Sequence, residues 1–168
     1  MNIVLIGYRG TGKSAISRVL SKKLKLEVIH IDDLITQKAG ISILEIVSKF
    51  GWEKFRELES DIIFEISQKD KCIIDTGGGV ILKDENVVNL KKNGVVILLK
   101  ANIETIVKRI EKGKDRPSLT GEKTFIEEIQ EVLSQREEKY NKAADFVIDT
   151  SNLSIEEIVN EIIFNIKI

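Results

Sequence analysis

The sequence predicts an α/β fold, a three-layer sandwich with a five-stranded parallel sheet between layers of helices. Apolar runs near residues 2–6, 27–31, 72–75, 95–99 and 145–149 alternate with segments whose apolar positions recur every 3.6 residues. Between the first run and the first helical segment stands Gly7-Tyr8-Arg9-Gly10-Thr11-Gly12-Lys13-Ser14, which fits GxxxxGK[ST]. The chain has 168 residues, 42% of them apolar, and no repeat, low-complexity tract or Pro/Gly-rich linker divides it. One domain over 1–168 with one sheet is therefore expected.

In chain order, Ile3-Val4-Leu5-Ile6 is the first strand, and the glycine-rich stretch after it reads as a phosphate-binding loop. Its glycines let successive N–H groups converge on one anion, and the following helix adds its N-terminal partial charge. Gly10, Thr11, Gly12, Lys13, Ser14 and Ala15 are the nucleotide-binding candidates. Lys13 would reach the β- and γ-phosphates and Ser14 would place its hydroxyl on Mg²⁺, so the site calls for a nucleoside triphosphate with its metal.

His30-Ile31-Asp32-Asp33 ends the second strand, and alternation would aim His30 and Asp32 to one side. Asp32 could hold a substrate hydroxyl and accept its proton during phosphoryl transfer, or Asp32 or Asp33 could cap the following helix. A helical segment over about 33–62 then carries Trp52-Glu53-Lys54-Phe55-Arg56-Glu57-Leu58-Glu59. There Arg56 and Glu59 share a face at i, i+3. A surface ion pair is the favoured reading, a carboxylate clamp oriented by Glu59 the alternative. Trp52 and Phe55 read as core or pocket wall.

The third strand, Cys72-Ile73-Ile74 with Asp75, runs into Thr76-Gly77-Gly78-Gly79. Placed beside the first strand, this loop would meet ligands at the carboxyl edge of the sheet, where three glycines permit close backbone approach. The polar stretch at about 112–124 holds Lys112, Lys114, Arg116 and the single proline, Pro117; it reads as a lid or as an ordinary surface loop. Ser42 with Glu45, Thr124 with Glu127 and Ser154 with Glu157 are capping boxes that mark helix starts. The last helix, about 154–166, spaces six isoleucines and valines for packing alone.

Lys and Arg total 26 against 27 Asp and Glu, so no long-range field favours nucleic acid or an anionic membrane. A small-molecule partner and a monomer are the expectation. Cys72 is the only cysteine and lies in an apolar run, as a buried thiol would. The N-terminal residues enter the first strand without a basic segment or signal-type apolar stretch, which points to a cytoplasmic protein.

Taken together the residues resemble the shikimate kinase family. The resemblance rests on the phosphate loop, Asp32, Phe55-Arg56-x-x-Glu59, Thr76-Gly77-Gly78-Gly79, Arg116-Pro117 and Arg136, in the family's order over nearly the whole chain. It implies a nucleoside monophosphate kinase-like fold with a lid, and MgATP-dependent phosphorylation of the 3-hydroxyl of shikimate in chorismate and aromatic amino acid biosynthesis. It implies that Asp32 holds the hydroxyls and serves as base, that Arg56, Arg136 and the N–H groups of Gly77, Gly78 and Gly79 grip the substrate, and that Glu59 supports Arg56. It further implies that Lys13 and Arg116 neutralise the transferring group and that Arg109 lies on the adenine.

Two positions depart from the family pattern: His30 replaces the first Asp of an Asp-x-Asp pair, and Asp75 replaces a small residue. A compensation is expected, with Asp75 supplying the carboxylate for a metal-bound water and His30 bonding to it; Asp75 as a cap of the glycine loop is the competing reading. Two rival functions remain within reach of the loop motif. A gluconate-type kinase would not need the triple glycine or the paired arginines. A GTP switch would need Asn-Lys-x-Asp after a strand, whereas Asn141-Lys142-Ala143-Ala144-Asp145 has one residue too many and precedes its strand.

Overall fold

All five residues of β1 (Asn2–Ile6) are buried, and the two-residue period of the strand divides them between two cores. Ile3 and Leu5 face one side, Val4 and Ile6 the other. This computed structural model describes residues 1–111 and 124–166. After β1 come α1 (Lys13–Leu24), β2 (Glu27–His30), α2 (Ile31–Ala39), α3 (Ile43–Ile66) and β3 (Cys72–Asp75). A 3₁₀ turn, Val80–Leu82, leads to α4 (Asp84–Lys92), β4 (Gly94–Lys100), α5 (Ile103–Ile110), α6 (Phe125–Ala143), β5 (Phe146–Asp149) and α7 (Ile155–Ile166).

The strands form one parallel sheet in the order β2-β3-β1-β4-β5. Parallel strands buried on both faces read as continuous apolar runs, which is why each was visible in the sequence. One face packs on α2, α3, α4 and α6 through Ile35, Ile46, Ile63, Leu90 and Tyr140. The opposite face packs on α1 and α7 through Ile16, Leu20, Ile158 and Ile162. The layers, the strand set and β3 beside β1 agree with expectation.

Register brings the chemistry to one edge. Leu5 and His30 both stand opposite Asp75, so β1, β2 and β3 finish level and their following loops open on the same side. The three capping boxes form as expected; at Ser154, for example, the backbone N–H donates to Glu157 Oε2 at 2.7 Å and its hydroxyl accepts from the Glu157 N–H at 3.2 Å.

Two local differences matter for the site. β2 stops at His30 and Ile31 already opens α2, so Asp32 lies in the first turn of a helix and strand alternation does not aim it. Neither Asp32 nor Asp33 is the N-cap; that position is His30, with no side-chain cap bond. The second difference is a break in α3 at Gly51, whose φ of 83° and ψ of 169° leave the helical region. A side chain there would be strained, so glycine sets the angle at which the half carrying Arg56 and Glu59 meets the sheet.

Candidate active site

Gly12 is the N-cap of α1 at φ 99°, placing the first N–H groups of the helix at the mouth of a cleft lined by Gly10, Lys13, Ser14 and Ala15. Lys13, only 8% exposed, donates from Nζ to the carbonyls of Gly7 (2.7 Å) and Tyr8 (3.0 Å), which holds its ammonium at the loop. Ser14 is exposed in the cleft. Thr11 is turned inward, its hydroxyl donating to the Tyr8 carbonyl at 2.8 Å, and the Ala15 N–H bonds the Gly12 carbonyl at 3.1 Å. Arg109 also lines the cleft. Its Nη1 donates to Gly10 O (3.2 Å) and Thr150 Oγ1 (3.0 Å), and its Nη2 to Thr150 O (2.9 Å), so the guanidinium plane is fixed and its face is what remains for a ligand.

On the other side of the glycine loop, Arg56 Nη1 donates to Glu59 Oε2 at 2.7 Å, with the side chains 14% and 0% exposed. The favoured sequence reading of a surface pair is therefore corrected: α3 packs its second half against the loop and buries the pair. A buried carboxylate is tolerated only with such a partner. Burial pushes the Glu59 carboxyl up from its ordinary value, the Arg56 guanidinium pulls it down, and the nearby Asp32 charge adds to the rise. Arg56 also stands 4.9 Å from the Phe55 ring centroid and 5.6 Å from that of Trp52. These aromatics are thus walls around the guanidinium, as expected.

Two of the three glycines, Gly77 and Gly79, are needed for space. A Cβ on Gly79 would lie 2.0 Å from Arg56 Nη2, one on Gly77 would lie 3.0 Å from Asp32 Oδ1, and one on Gly78 would meet the Gly7 carbonyl at 3.4 Å. The loop is thereby packed between the phosphate loop, Asp32 and Arg56. Arg136 reaches it from α6, donating from Nη1 to the Gly78 carbonyl at 3.2 Å.

His30 Nδ1 lies 2.8 Å from Asp75 Oδ2, and both residues line the cleft with Asp32 and Ser14. A carboxylate only accepts, so Nδ1 is the ring nitrogen bearing hydrogen. The pair anticipated from the two departures exists, and the Asp75 side chain bonds His30. Arg116 and the candidate lid up to residue 123 lie outside the described residues.

Three contributors were not singled out from the sequence. Tyr140 donates its hydroxyl to the Gly78 carbonyl, one helical turn from Arg136, and that i, i+4 spacing was the available signal. Thr150 follows β5 at the carboxyl edge and ties Arg109 to the phosphate loop. Arg9 pairs with Glu128 of α6 at 2.9 Å and lies over the rings of Tyr8 and Phe125. Among the described residues no helix is long and apolar enough to cross a membrane. Cys72 is buried, its thiol donating to Asn2 Oδ1 at 3.2 Å, and burial raises its pKa.

The family model for shikimate kinase matches residues 9–167. The chain is 43% identical over 162 residues to the shikimate kinase of Thermodesulfovibrio yellowstonii, covering 96% of this chain and 92% of that one. It is 44% identical to that of Caldanaerobacter subterraneus, covering 96% and 94%. The structure of the Acinetobacter baumannii enzyme in complex with shikimate superposes with a TM-score of 0.92 at 30% identity, covering 99% of this chain and 92% of that one. With the phosphate loop, the buried arginine pair and the triple glycine at one sheet edge, these matches over almost the full length establish that the chain belongs to the shikimate kinase family.

Proposed function

We propose that the chain transfers the γ-phosphoryl group of ATP to shikimate, at the 3-hydroxyl that the family resemblance implies, giving shikimate 3-phosphate and ADP. The observation that carries the reading is the buried Arg56–Glu59 pair against Gly79, beside a phosphate loop at the same sheet edge. A desolvated guanidinium held by a carboxylate is a receptor for a second, substrate carboxylate. Arg56, Arg136 and the N–H groups of Gly77, Gly78 and Gly79 take that group and orient the ring.

Asp32 borders both the cleft and Gly77, which suits it to hold the acceptor hydroxyl. The hydroxyl oxygen forms its bond to the γ-phosphorus as the bond to the ADP oxygen breaks, and the hydroxyl proton passes to Asp32. Lys13, with Arg116 from the undescribed segment, neutralises charge on the transferring group, and Arg109 lays its fixed plane on the adenine. Holding both reactants in line provides most of the acceleration.

Among the described residues no group of three His, Cys, Asp or Glu forms a metal cage. The donor set nevertheless fits a hydrated Mg²⁺ that arrives with its nucleotide: the exposed Ser14 hydroxyl as ligand and the Asp75 carboxylate on a bound water. The ion, when bound, neutralises phosphate charge. ADP release from ATP should rise sharply with shikimate and stay at the background rate with gluconate or a nucleoside monophosphate. A flat response to shikimate removes the reading.

A further inference from the structure

We propose that Tyr140 is a positioning residue for the acceptor carboxylate: its hydroxyl holds the Gly78–Gly79 peptide so that the Gly79 N–H faces the substrate and Arg136 is left available to it. The proposal rests on the acceptor site assigned above. Tyr140 lies on α6 one turn after Arg136, and both donate to the same Gly78 carbonyl oxygen. That oxygen has two lone pairs and accepts both. Tyr140 is 3% exposed, and burial pushes its phenol up to about 12, so the group stays protonated, a donor, at neutral pH.

In a trans peptide the carbonyl and the next N–H point in opposite directions. With the Gly78 carbonyl drawn to α6, the Gly79 N–H is directed away from α6. Among the described residues neither the Gly78 nor the Gly79 N–H has an acceptor. Beside Gly79 there is no room for a side chain, since a Cβ would lie 2.0 Å from Arg56 Nη2, whereas one on Gly78 would make only ordinary contacts with the backbone of Gly7 and Arg9. Rotation of the peptide between them is the freedom that glycine leaves open, and the Tyr140 bond closes it.

Arg136 cannot do this alone. Once its guanidinium turns to a substrate carboxylate its bond to Gly78 weakens, and Tyr140 keeps the peptide in place. Without the hydroxyl, binding would require Arg136 to choose between loop and ligand.

The test is Tyr140→Phe, which keeps the ring and deletes the donor. The KM for shikimate should rise about five- to tenfold, as loss of one hydrogen bond of this kind predicts. The KM for ATP and kcat should stay within about twofold, a split that a general loss of packing would not give. Wild type is assayed first. A wild type unresponsive to shikimate overturns both the acceptor reading and this proposal; a responsive wild type with an unshifted Tyr140→Phe overturns this proposal alone. A crystal structure of the wild type with shikimate gives an answer independent of any variant. Tyr140 Oη should remain bonded to Gly78 O, and a hydroxyl turned away from it, or onto shikimate itself, refutes the role.

Discussion

Asp75 is a residue whose meaning depends on one neighbour. Its carboxylate is 6% exposed, accepts from His30 at 2.8 Å, and shares the cleft with Ser14. If it holds a metal-bound water, Asp75→Ser should weaken Mg²⁺ by about tenfold, the usual scale for an outer-sphere partner. Adding His30→Asp should recover most of that loss, because a carboxylate then returns to the same corner from the adjacent strand. Calorimetry of ATP binding against Mg²⁺ concentration reads this directly, alongside the Mg²⁺ midpoint of activity. Equal midpoints for wild type and Asp75→Ser would show that the carboxylate only holds His30. The departure at both positions was legible in the sequence because each stands two residues before a recognisable family motif, His30 before Asp32 and Asp75 before Gly77-Gly78-Gly79. Burial of Arg56 and Glu59 was not legible, since an i, i+3 spacing places two charges on one helix face without saying what that face meets.

At the scale of elements, the glycine loop and the second half of α3 are one fitted unit. Gly79→Ala would put a methyl 2.0 Å from Arg56 Nη2 and 2.4 Å from its Cζ, forcing the guanidinium out of its place on Glu59. Gly78→Ala meets only ordinary contacts, the nearest at 3.4 Å. Steady-state kinetics should therefore rank the two: a loss in kcat/KM for shikimate of about a hundredfold for Gly79→Ala, and a much smaller one for Gly78→Ala. The reverse ranking would mean that the loop yields and that Arg56 is not its partner. Strands and capping boxes were readable because buried parallel strands are apolar throughout and hydroxyl–carboxylate pairs mark helix starts. The end of β2 was not, because His30-Ile31-Asp32 contains no breaker: α2 begins without a side-chain cap, so neither turn chemistry nor period announces the change. The kink at Gly51 was equally silent, a lone glycine in a helical pattern being compatible with an unbroken helix.

For the molecule as a whole, the strand order β2-β3-β1-β4-β5 puts β1 between the loops after β2 and β3, which the proposed function gives to the acceptor, and those after β4 and β5, which it gives to the nucleotide. The phosphate loop stands at the switch point between them, where open α/β sheets bind ligands. What joins the nucleotide side is a single hydroxyl. Thr150, fully buried after β5, accepts from Arg109 Nη1 of α5 at 3.0 Å and stands 3.0 Å from both the Thr11 carbonyl of the phosphate loop and the Lys100 carbonyl at the end of β4. Thr150→Val preserves shape but removes these bonds, leaving buried polar groups short of a partner at a cost of about 1–3 kcal/mol. For a chain of this length that lowers Tm by about 3–10 °C in a thermal melt. Because the same hydroxyl fixes the Arg109 plane and the loop, the KM for ATP should rise together with the fall in Tm, whereas the KM for shikimate, served from the far side of β1, should hold. A variant that melts early with an unchanged KM for ATP would confine Thr150 to stability, and an unchanged Tm would mean that ordered water replaces the hydroxyl.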